Sequence, residues 1–384
     1  MTATKIKLYT KKDGSKAYQY QAYLGVDPVT GKSRKTTRRG FKTKKEAQLS
    51  LSRLKIEIEE QGYKKNVRYK FKDVYELWLD QYKNTVKEST LNKTIEIFNY
   101  HILPLFGNLY VDKVTVVFCQ KAVNKWYGSV QKFKAISNYV SRIFDYAISI
   151  EIIENNPVKK ISMPIKKVHV QEEKVLNFYD KEELTHFFNC LKKENDPLQL
   201  ALFRTLAFTG ARKGEILALQ WRDINFTDNS ININKTVTFG LNNVLIIQTP
   251  KTKTSVRAIS MDPQTMTILK SWKKVQKENY FKLGINTLHP TQLVFPSNKN
   301  TIMQPPKVGK YLDRIIDRYE LKRITTLGFR HTHCSILFEA GASIKEVQDR
   351  LGHSDVQTTM NIYAHVSEKA KENTADKFAN YVNF

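Results

Sequence analysis

The sequence predicts a multidomain α+β fold: a small N-terminal three-stranded sheet plus helix, a four-helix bundle, and a mainly α C-terminal domain with a small antiparallel sheet. Three observations predict it. The chain has 384 residues, more than one hydrophobic core organises. Apolar residues make up 41% of it, as in folded globular chains. The spacing of those apolar residues shifts along the chain from period two, to helical, to a mixture of both.

The N-terminal part reads as sheet and helix. Tyr18, Tyr20, Ala22 and Leu24 alternate with polar residues, the period of a half-buried strand. Asp27-Pro28 and Thr30-Gly31-Lys32 supply turn chemistry, and a further strand runs through Lys35–Arg39 to Gly40. Thr43 and Glu46 form a capping box. Behind it Ala47, Leu51, Leu54 and Ile58 recur at helical spacing.

Residues 67–162 read as four helices. Phe71, Val74, Leu77 and Trp78 open the first. Ser89-Thr90 caps the second, which carries Leu91, Ile95 and Tyr100 and is broken by Leu103-Pro104 and Gly107. Val117, Val123 and Trp126 mark the third. Ile136, Val140, Ile143, Ala147 and Ile150 mark a longer fourth, stopped by Asn155-Asn156-Pro157. The expected division is therefore 1–66, 67–162, a linker at 163–176, and 177–384. In the last segment Ile231 and Ile233, then Val237 and Phe239, then Val244 and Ile246 alternate as strands do. Val256, Ala258 and Ser260 continue the pattern after a turn at Pro250–Thr254.

Charge narrows the function. Lys and Arg number 63 against 37 Asp and Glu, a net charge of +26. Residues 1–70 alone hold 19 of the cations and 6 of the anions, so half of the excess sits in under a fifth of the chain. Such self-repulsion calls for an anionic partner, nucleic acid or membrane surface. The membrane is set aside because no run of about 18 apolar residues exists, and residues 1–12 lack the apolar core of a signal peptide. Arg34, Lys35, Arg38 and Arg39, on or beside exposed strands, are the candidate DNA contacts. Cys119, Cys190 and Cys334 are too few and too scattered for a disulfide framework or a paired-cysteine zinc site. Reduced thiols in a cytoplasmic protein are the expectation.

Three segments carry chemistry. In Thr209-Gly-Ala-Arg-Lys-Gly-Glu215, Gly210 ends one helix and another starts near Arg212, with Ile216, Leu217 and Leu219 apolar. A guanidinium at a helix N-terminus favours an anion there, and Glu215, one turn on, can hold it. In Thr325-Thr-Leu-Gly-Phe-Arg-His-Thr-His333, Thr325 or Thr326 caps a helix with Arg330 in its first turn. Ser343 and Glu346 form a second capping box, Gly352 ends that helix, His353 follows, and Ser354-Asp355 caps a short helix carrying Tyr363. Taken singly, Tyr363 reads as a core tyrosine and the two arginines as ion-pair partners. His331, His333 and His365 lack a carboxylate or cysteine at ligand spacing, so no metal is expected.

Together, Thr-Gly-Ala-Arg-Lys-Gly-Glu, Gly-Phe-Arg-His-Thr-His and Leu-Gly-His-Ser-Asp-Val-Gln-Thr-Thr-Met-Asn-Ile-Tyr-Ala-His resemble, in order and spacing, the three signature boxes of the tyrosine recombinases. The resemblance is to the integrases of temperate phages and integrative elements of low-GC bacteria, and it covers essentially the whole chain. It implies an arm-type DNA-binding domain at 1–66, a core-binding domain at 67–162 and a catalytic domain at 177–384. It also implies that Tyr363 attacks a DNA phosphodiester to give a 3′-phosphotyrosine, that Arg212, Arg330 and His353 stabilise the phosphoryl charge, and that Lys251, with Lys253 as second candidate, is the general acid. No cofactor is implied. The implied partners are double-stranded DNA at core-type and arm-type sites, three further copies of the chain in a tetramer, and an excisionase and a host DNA-bending protein that no residue here identifies. The tail, Val366 to Phe384, has an apolar face expected to pack on a neighbouring protomer.

One position departs from the family. Leu327 stands where the family usually has histidine, three residues before the second arginine, and leucine neither accepts a proton nor binds phosphate. His331 and His333 are the nearby imidazoles. Two alternatives follow: a catalytically weakened DNA-binding or architectural protein, and an enzyme resembling type IB topoisomerases, against which the separate arm-type domain argues.

Overall fold

The structure, a computed structural model, describes residues 5–26, 31–61, 68–165, 177–250, 252–352, 356, 357 and 360. Tertiary contacts divide the chain into two compact units. One comprises Met1–Tyr75 with Leu105–Ser162, the other Glu76–Pro104 with Met163–Phe384.

In the first unit β1 (Lys7–Thr10), β2 (Lys16–Val26) and β3 (Ser33–Phe41) form an antiparallel sheet in that order. Helix α1 (Lys44–Gln61) covers one face. Tyr20 and Ala22 are buried against Ala47, Leu51 and Leu54, as their alternation predicts. At the start of α1, Thr43 Oγ1 accepts from the Glu46 amide at 3.1 Å. Glu46 reaches back to the Lys42 amide at 2.9 Å, one residue earlier than an ordinary capping box.

Four helices follow the sheet as expected: α2 (Phe71–Tyr82), α3 (Glu88–Ile97) with its continuation α4 (Leu103–Phe106), α5 (Val116–Ser129) and α6 (Phe133–Ser149). Ile136, Val140, Ile143 and Ala147 of α6 are buried. Two local expectations fail. Ser89-Thr90 does not cap α3. The cap position is Lys87, and Ser89 lies inside the first turn, buried, where its hydroxyl accepts from Gln248 at 3.0 Å. Nor does Leu103-Pro104 break the helix. A π-helical stretch, Phe98–Ile102, carries α3 into α4, and Pro104 lies within that continuous run.

The C-terminal part of the second unit contains α7 (Lys181–Lys193), α8 (Pro197–Thr209), α9 (Lys213–Leu217), β4 (Ile224–Asn225), β5 (Ser230–Ile233), β6 (Thr236–Phe239), β7 (Leu245–Gln248), β8 (Arg257–Ser260), α10 (Pro263–Lys282), α11 (Pro305–Arg318), α12 (Gly328–Glu339) and α13 (Ile344–Leu351). The strands pair as an antiparallel sheet β4-β5-β8 and a ribbon β6-β7. Asp196 and Asp262 cap α8 and α10, each followed by proline, a strong helix start. α3 belongs to this unit and holds the ribbon. Glu88 accepts from the Leu241 amide at 2.8 Å, Asn92 donates to Asn243 at 3.0 Å, and Lys87 Nζ donates to the Thr249 and Pro250 carbonyls at 2.9 and 2.8 Å.

The core of this unit is aromatic where it meets the arginines. The Phe329 ring, fully buried, lies 5.2 Å from Phe187 and 5.6 Å from Phe203. Burying such a ring stabilises by about 1.5–3 kcal/mol. It also fixes the backbone from which the next residue, Arg330, extends. Among the described residues no helix is long and apolar enough to cross a membrane.

Candidate active site and nucleic-acid interface

The first arginine stands where the sequence places it. α8 ends at Gly210 in the left-handed region, φ 61°, and Arg212 occupies the N-cap position of α9. A side chain at Gly210 would meet Leu351 at 2.6 Å and His333 at 2.7 Å, so glycine is required both by backbone angle and by space. The Glu215 carboxylate takes the Arg212 amide at 2.9 Å and the Arg212 Nη1 at 3.0 Å. The Arg212 side chain remains 44% exposed while Glu215 is 3% exposed. One face of the guanidinium is thus anchored in the protein and the rest meets solvent.

A third arginine completes the cluster, and sequence reasoning missed it. Arg257 Nη2 donates to Glu215 at 3.1 Å, Nε to the Arg350 carbonyl at 2.8 Å and Nη1 to the Ser255 carbonyl at 3.0 Å. Its side chain is 7% exposed. The alternation through Val256, Ala258 and Ser260 has the opposite phase in the structure. Val256, Ala258 and Ser260 face out, whereas Ile259 is buried and Arg257 points inward with it. A one-residue slip in phase turns every side chain of a strand over, and that slip hid Arg257. The available signal was Ile259, two residues on and strongly apolar.

Arg330 lies in the first turn of α12, as expected, and is 3% exposed. Thr325 and Thr326 do not cap that helix. Leu327 holds the N-cap position without a side-chain cap, and Thr325 bonds Asn177 instead. Arg330 donates from Nη1 to the Gly210 carbonyl at 2.9 Å and from Nη2 to the Leu351 carbonyl at 2.8 Å. Burial, then repulsion by Arg212, pulls its guanidinium down to about 9, with Glu215 opposing. It is still cationic at neutral pH. Burial works to raise the Glu215 carboxyl, but Arg257 and the Arg212 amide outweigh it and hold it below the usual carboxylate value. Among the described residues the cluster thus sets the Arg212, Arg257 and Arg330 guanidiniums near one ionised carboxylate, with Arg212 alone substantially exposed, a net positive charge that favours an anion there.

His333 has a structural post. Its Nδ1 donates to the Ala207 carbonyl at 2.8 Å and its Nε2 accepts from Arg350 Nε at 2.9 Å. Burial, then the Arg350 charge, lowers it to about 3. Burial likewise lowers His331, which sits against the Asn177 backbone. Leu327 is 49% exposed. Cys334 is buried, which pushes its thiol up to about 12 and leaves it unreactive. The helix before the third box forms as predicted. Ser343 and Glu346 close both halves of the capping box, and Gly352 ends α13 at φ 66°. Lys251, His353 and Tyr363 lie outside the described residues, as do His365 and the tail from Val366.

The arm-side cations divide between two faces. Cross-strand pairs set Tyr20 opposite Arg38 and Ala22 opposite Thr36, on the side of α1. Gln19 faces Arg39, Gln21 faces Thr37 and Tyr23 faces Lys35 on the open side. Of the four candidate DNA contacts, Lys35 and Arg39 therefore share the open face, while Arg34 and Arg38 alternate to the other. A groove of about 410 Å³ lies over the open face, lined by Lys7, Gln19, Gln21, Lys35, Thr37 and Arg39 among others. The sequence pointed to the cations but not to the two glutamines, whose donor–acceptor ends suit base edges.

Residues 177–370 match the model of the phage integrase family, 70–127 that of the phage integrase N-terminal SAM-like domain, and 6–58 that of the Arm DNA-binding domain. The chain is 30% identical over 367 residues to the ICEBs1 integrase of Bacillus subtilis (strain 168), covering 94% of this chain and 96% of that one. It is 28% identical to a tyrosine recombinase XerC-like protein of Caldanaerobacter subterraneus, covering 95% and 96%. Among solved structures it shares the fold of the Tn1549 transposon integrase in complex with transposon right end DNA, with TM-score 0.66, 19% identity and coverage of 81% and 100%. It also shares the fold of a lambda integrase tetramer bound to a Holliday junction, with TM-score 0.52, 18% identity and coverage of 92% and 94%.

Proposed function

Because the chain belongs to the phage integrase family, tyrosine-type site-specific DNA recombinases of mobile elements, we propose that it integrates and excises its element through Tyr363. The phenol oxygen attacks the scissile phosphorus, the bond to the 5′ oxygen breaks, and a 3′-phosphotyrosine forms. Arg212 and Arg330 neutralise the non-bridging oxygens, with His353 donating to the same phosphoryl group. Lys251 protonates the leaving 5′ oxygen. The phenol proton passes to water, because Leu327 offers no acceptor. Attack by a 5′-hydroxyl of the second duplex then reverses the chemistry, and the retained phosphoester makes an external energy source unnecessary.

One observation carries this reading. Arg212 bonds Glu215 within the first box, while Arg330 of the second box bonds the carbonyls of Gly210 in the first and of Leu351, the opening residue of the third. The architecture is assigned as arm-binding at 1–66, core-binding at 67–162, a linker at 163–176 and catalysis at 177–384. Four protomers assemble on two duplexes, in line with the lambda integrase tetramer. Lys35 and Arg39 grip the arm site while the rest of the chain holds the core site, both on DNA in the cytoplasm of the bacterial host. The linkage between the two raises avidity. An excisionase and a host bending protein set the direction of the reaction.

The deciding experiment uses a nicked core-site duplex from the element's own ends, on which cleavage traps protein covalently. An adduct from the wild type and its loss in Tyr363→Phe are expected. DNA binding without any adduct would instead favour an architectural role, for which the exposed Leu327 is the motivating observation.

A further inference from the structure

Arg257 belongs to none of the three boxes that carry the family resemblance, yet it bonds the carboxylate of the first and the carbonyl just before the third. We propose that Arg257 is a positioning residue for DNA cleavage, holding Glu215 so that Arg212 is aimed at the scissile phosphate. The proposal rests on the reading of Arg212 as a phosphate-binding group.

Glu215 carries Arg212 by two attachments, the amide on Oε2 and Nη1 on Oε1. A carboxylate held by Arg212 alone could swing with it. Arg257 supplies the second anchor, donating Nη2 to Oε2 at 3.1 Å. Its own fork is immobile because its other two nitrogens bond the Arg350 and Ser255 carbonyls at 2.8 and 3.0 Å. Those three acceptors lie in box one, in the last turn of α13, and in the chain that follows the turn at 250–254. The guanidinium reaches these acceptors from three separate nitrogens of one rigid plane, whereas an ammonium presents all its donors from a single nitrogen and cannot span the same three positions.

Space around Arg257 is reserved as well. A side chain at Gly352 would come within 3.1 Å of its Nη1. Since it is almost fully buried with each nitrogen bonded, Arg257 does not itself meet substrate. Its charge keeps Glu215 ionised, and Glu215 in turn fixes the half-exposed Arg212.

The test uses the full-length protein in single turnover, at saturating protein, on the nicked core-site duplex. Arg257→Lys and Arg257→Met should each slow adduct formation about a hundredfold, the scale expected when a reacting geometry is displaced by around 1 Å. Core-site affinity should change less than about threefold, since surface phosphate contacts are untouched. A duplex with a methylphosphonate at the scissile position lacks the anionic oxygen that Arg212 neutralises, so on it the variants should approach the wild-type rate. A deficit of equal size on both substrates, or wild-type rates in both variants, would overturn the proposal. So would equal losses of affinity and rate. Should Arg257→Met fail to bind the core site at all, Arg257→Lys, which keeps the charge, decides. Absence of an adduct from the wild type, or its persistence in Tyr363→Phe, marks failure of the underlying reading and removes the proposal with it.

Discussion

Arg350 donates from Nε to Nε2 of His333 at 2.9 Å, and the same imidazole donates from Nδ1 to the Ala207 carbonyl at 2.8 Å. These two bonds fix the tautomer, with the proton on Nδ1 and the lone pair directed at a cation. Protonation of Nε2 would break the bond to Arg350 and set two positive charges against each other.

A pH dependence follows. His333 is held at about 3 in the fold against about 6.5 in the unfolded chain. Between those values the unfolded state binds the extra proton, so stability rises with pH there. The His333 contribution is complete above pH 6.5 and lost as pH falls toward 3. It should reach roughly 1.4 kcal/mol per pH unit within that window. Denaturant melts at stepped pH should show this slope, and His333→Gln should flatten it. An unaltered slope in the variant would assign the effect to other groups.

Gly210 and Gly341 both sit at positive φ, 61° and 88°, but only Gly210 is crowded by Leu351 and His333. Nothing lies within 4 Å of a Cβ built at Gly341. Alanine at Gly341 should cost about 1 kcal/mol, the backbone penalty alone. At Gly210 it should cost roughly 2–4 kcal/mol, adding the strain of overpacking. Urea unfolding of the two variants side by side checks the difference, and equal losses would refute the packing argument.

Leu327→His restores an imidazole where the family usually has one. Leu327 is half exposed, so the change should leave stability within about 0.5 kcal/mol. It should raise adduct formation on the nicked substrate at least about tenfold by supplying a proton acceptor or phosphate donor. A rate equal to that of the parent chain would show that the position is dispensable here.

The two faces of the N-terminal sheet give a contrast measurable by salt titration. Lys35→Ala and Arg39→Ala should each lower the log–log salt slope of arm-site binding by about 0.9. Arg38→Ala, on the face turned to α1, should leave the slope nearly unchanged. Gln19→Ala and Gln21→Ala should relax sequence preference while keeping the slope. Binding isotherms across a series of potassium concentrations separate these outcomes.

What the sequence revealed and what it concealed divide along physical lines. Features closed within three or four residues were legible: the Ser343–Glu346 box, the helix ends at Gly210 and Gly352, and Arg212 at the start of α9. Each is decided by local backbone amides and by the glycine angle. Features settled by partners far along the chain were not legible. Lys87, rather than Ser89, begins α3, and Ser89 is used by Gln248 of the ribbon. Arg257 finds Glu215 forty-two residues away, and its strand phase could not be told from a short run in which Val256 and Ile259 compete for the interior. The arginines of the boxes were found because their motifs are distinctive. Arg257 and Arg350 carry no motif, and only the folded chain shows what they hold.

The bare α-carbon of Gly210 sets a limit on how such enzymes can be rebuilt. At that point the end of α8, the ring of His333 on α12 and the Leu351 methyls on α13 are nested with no room for one more carbon. Segments on either side of this joint cannot be exchanged one at a time between relatives without refitting the other two. A chimaera meant to carry new target preference must therefore take α8, α12 and α13 together from one parent.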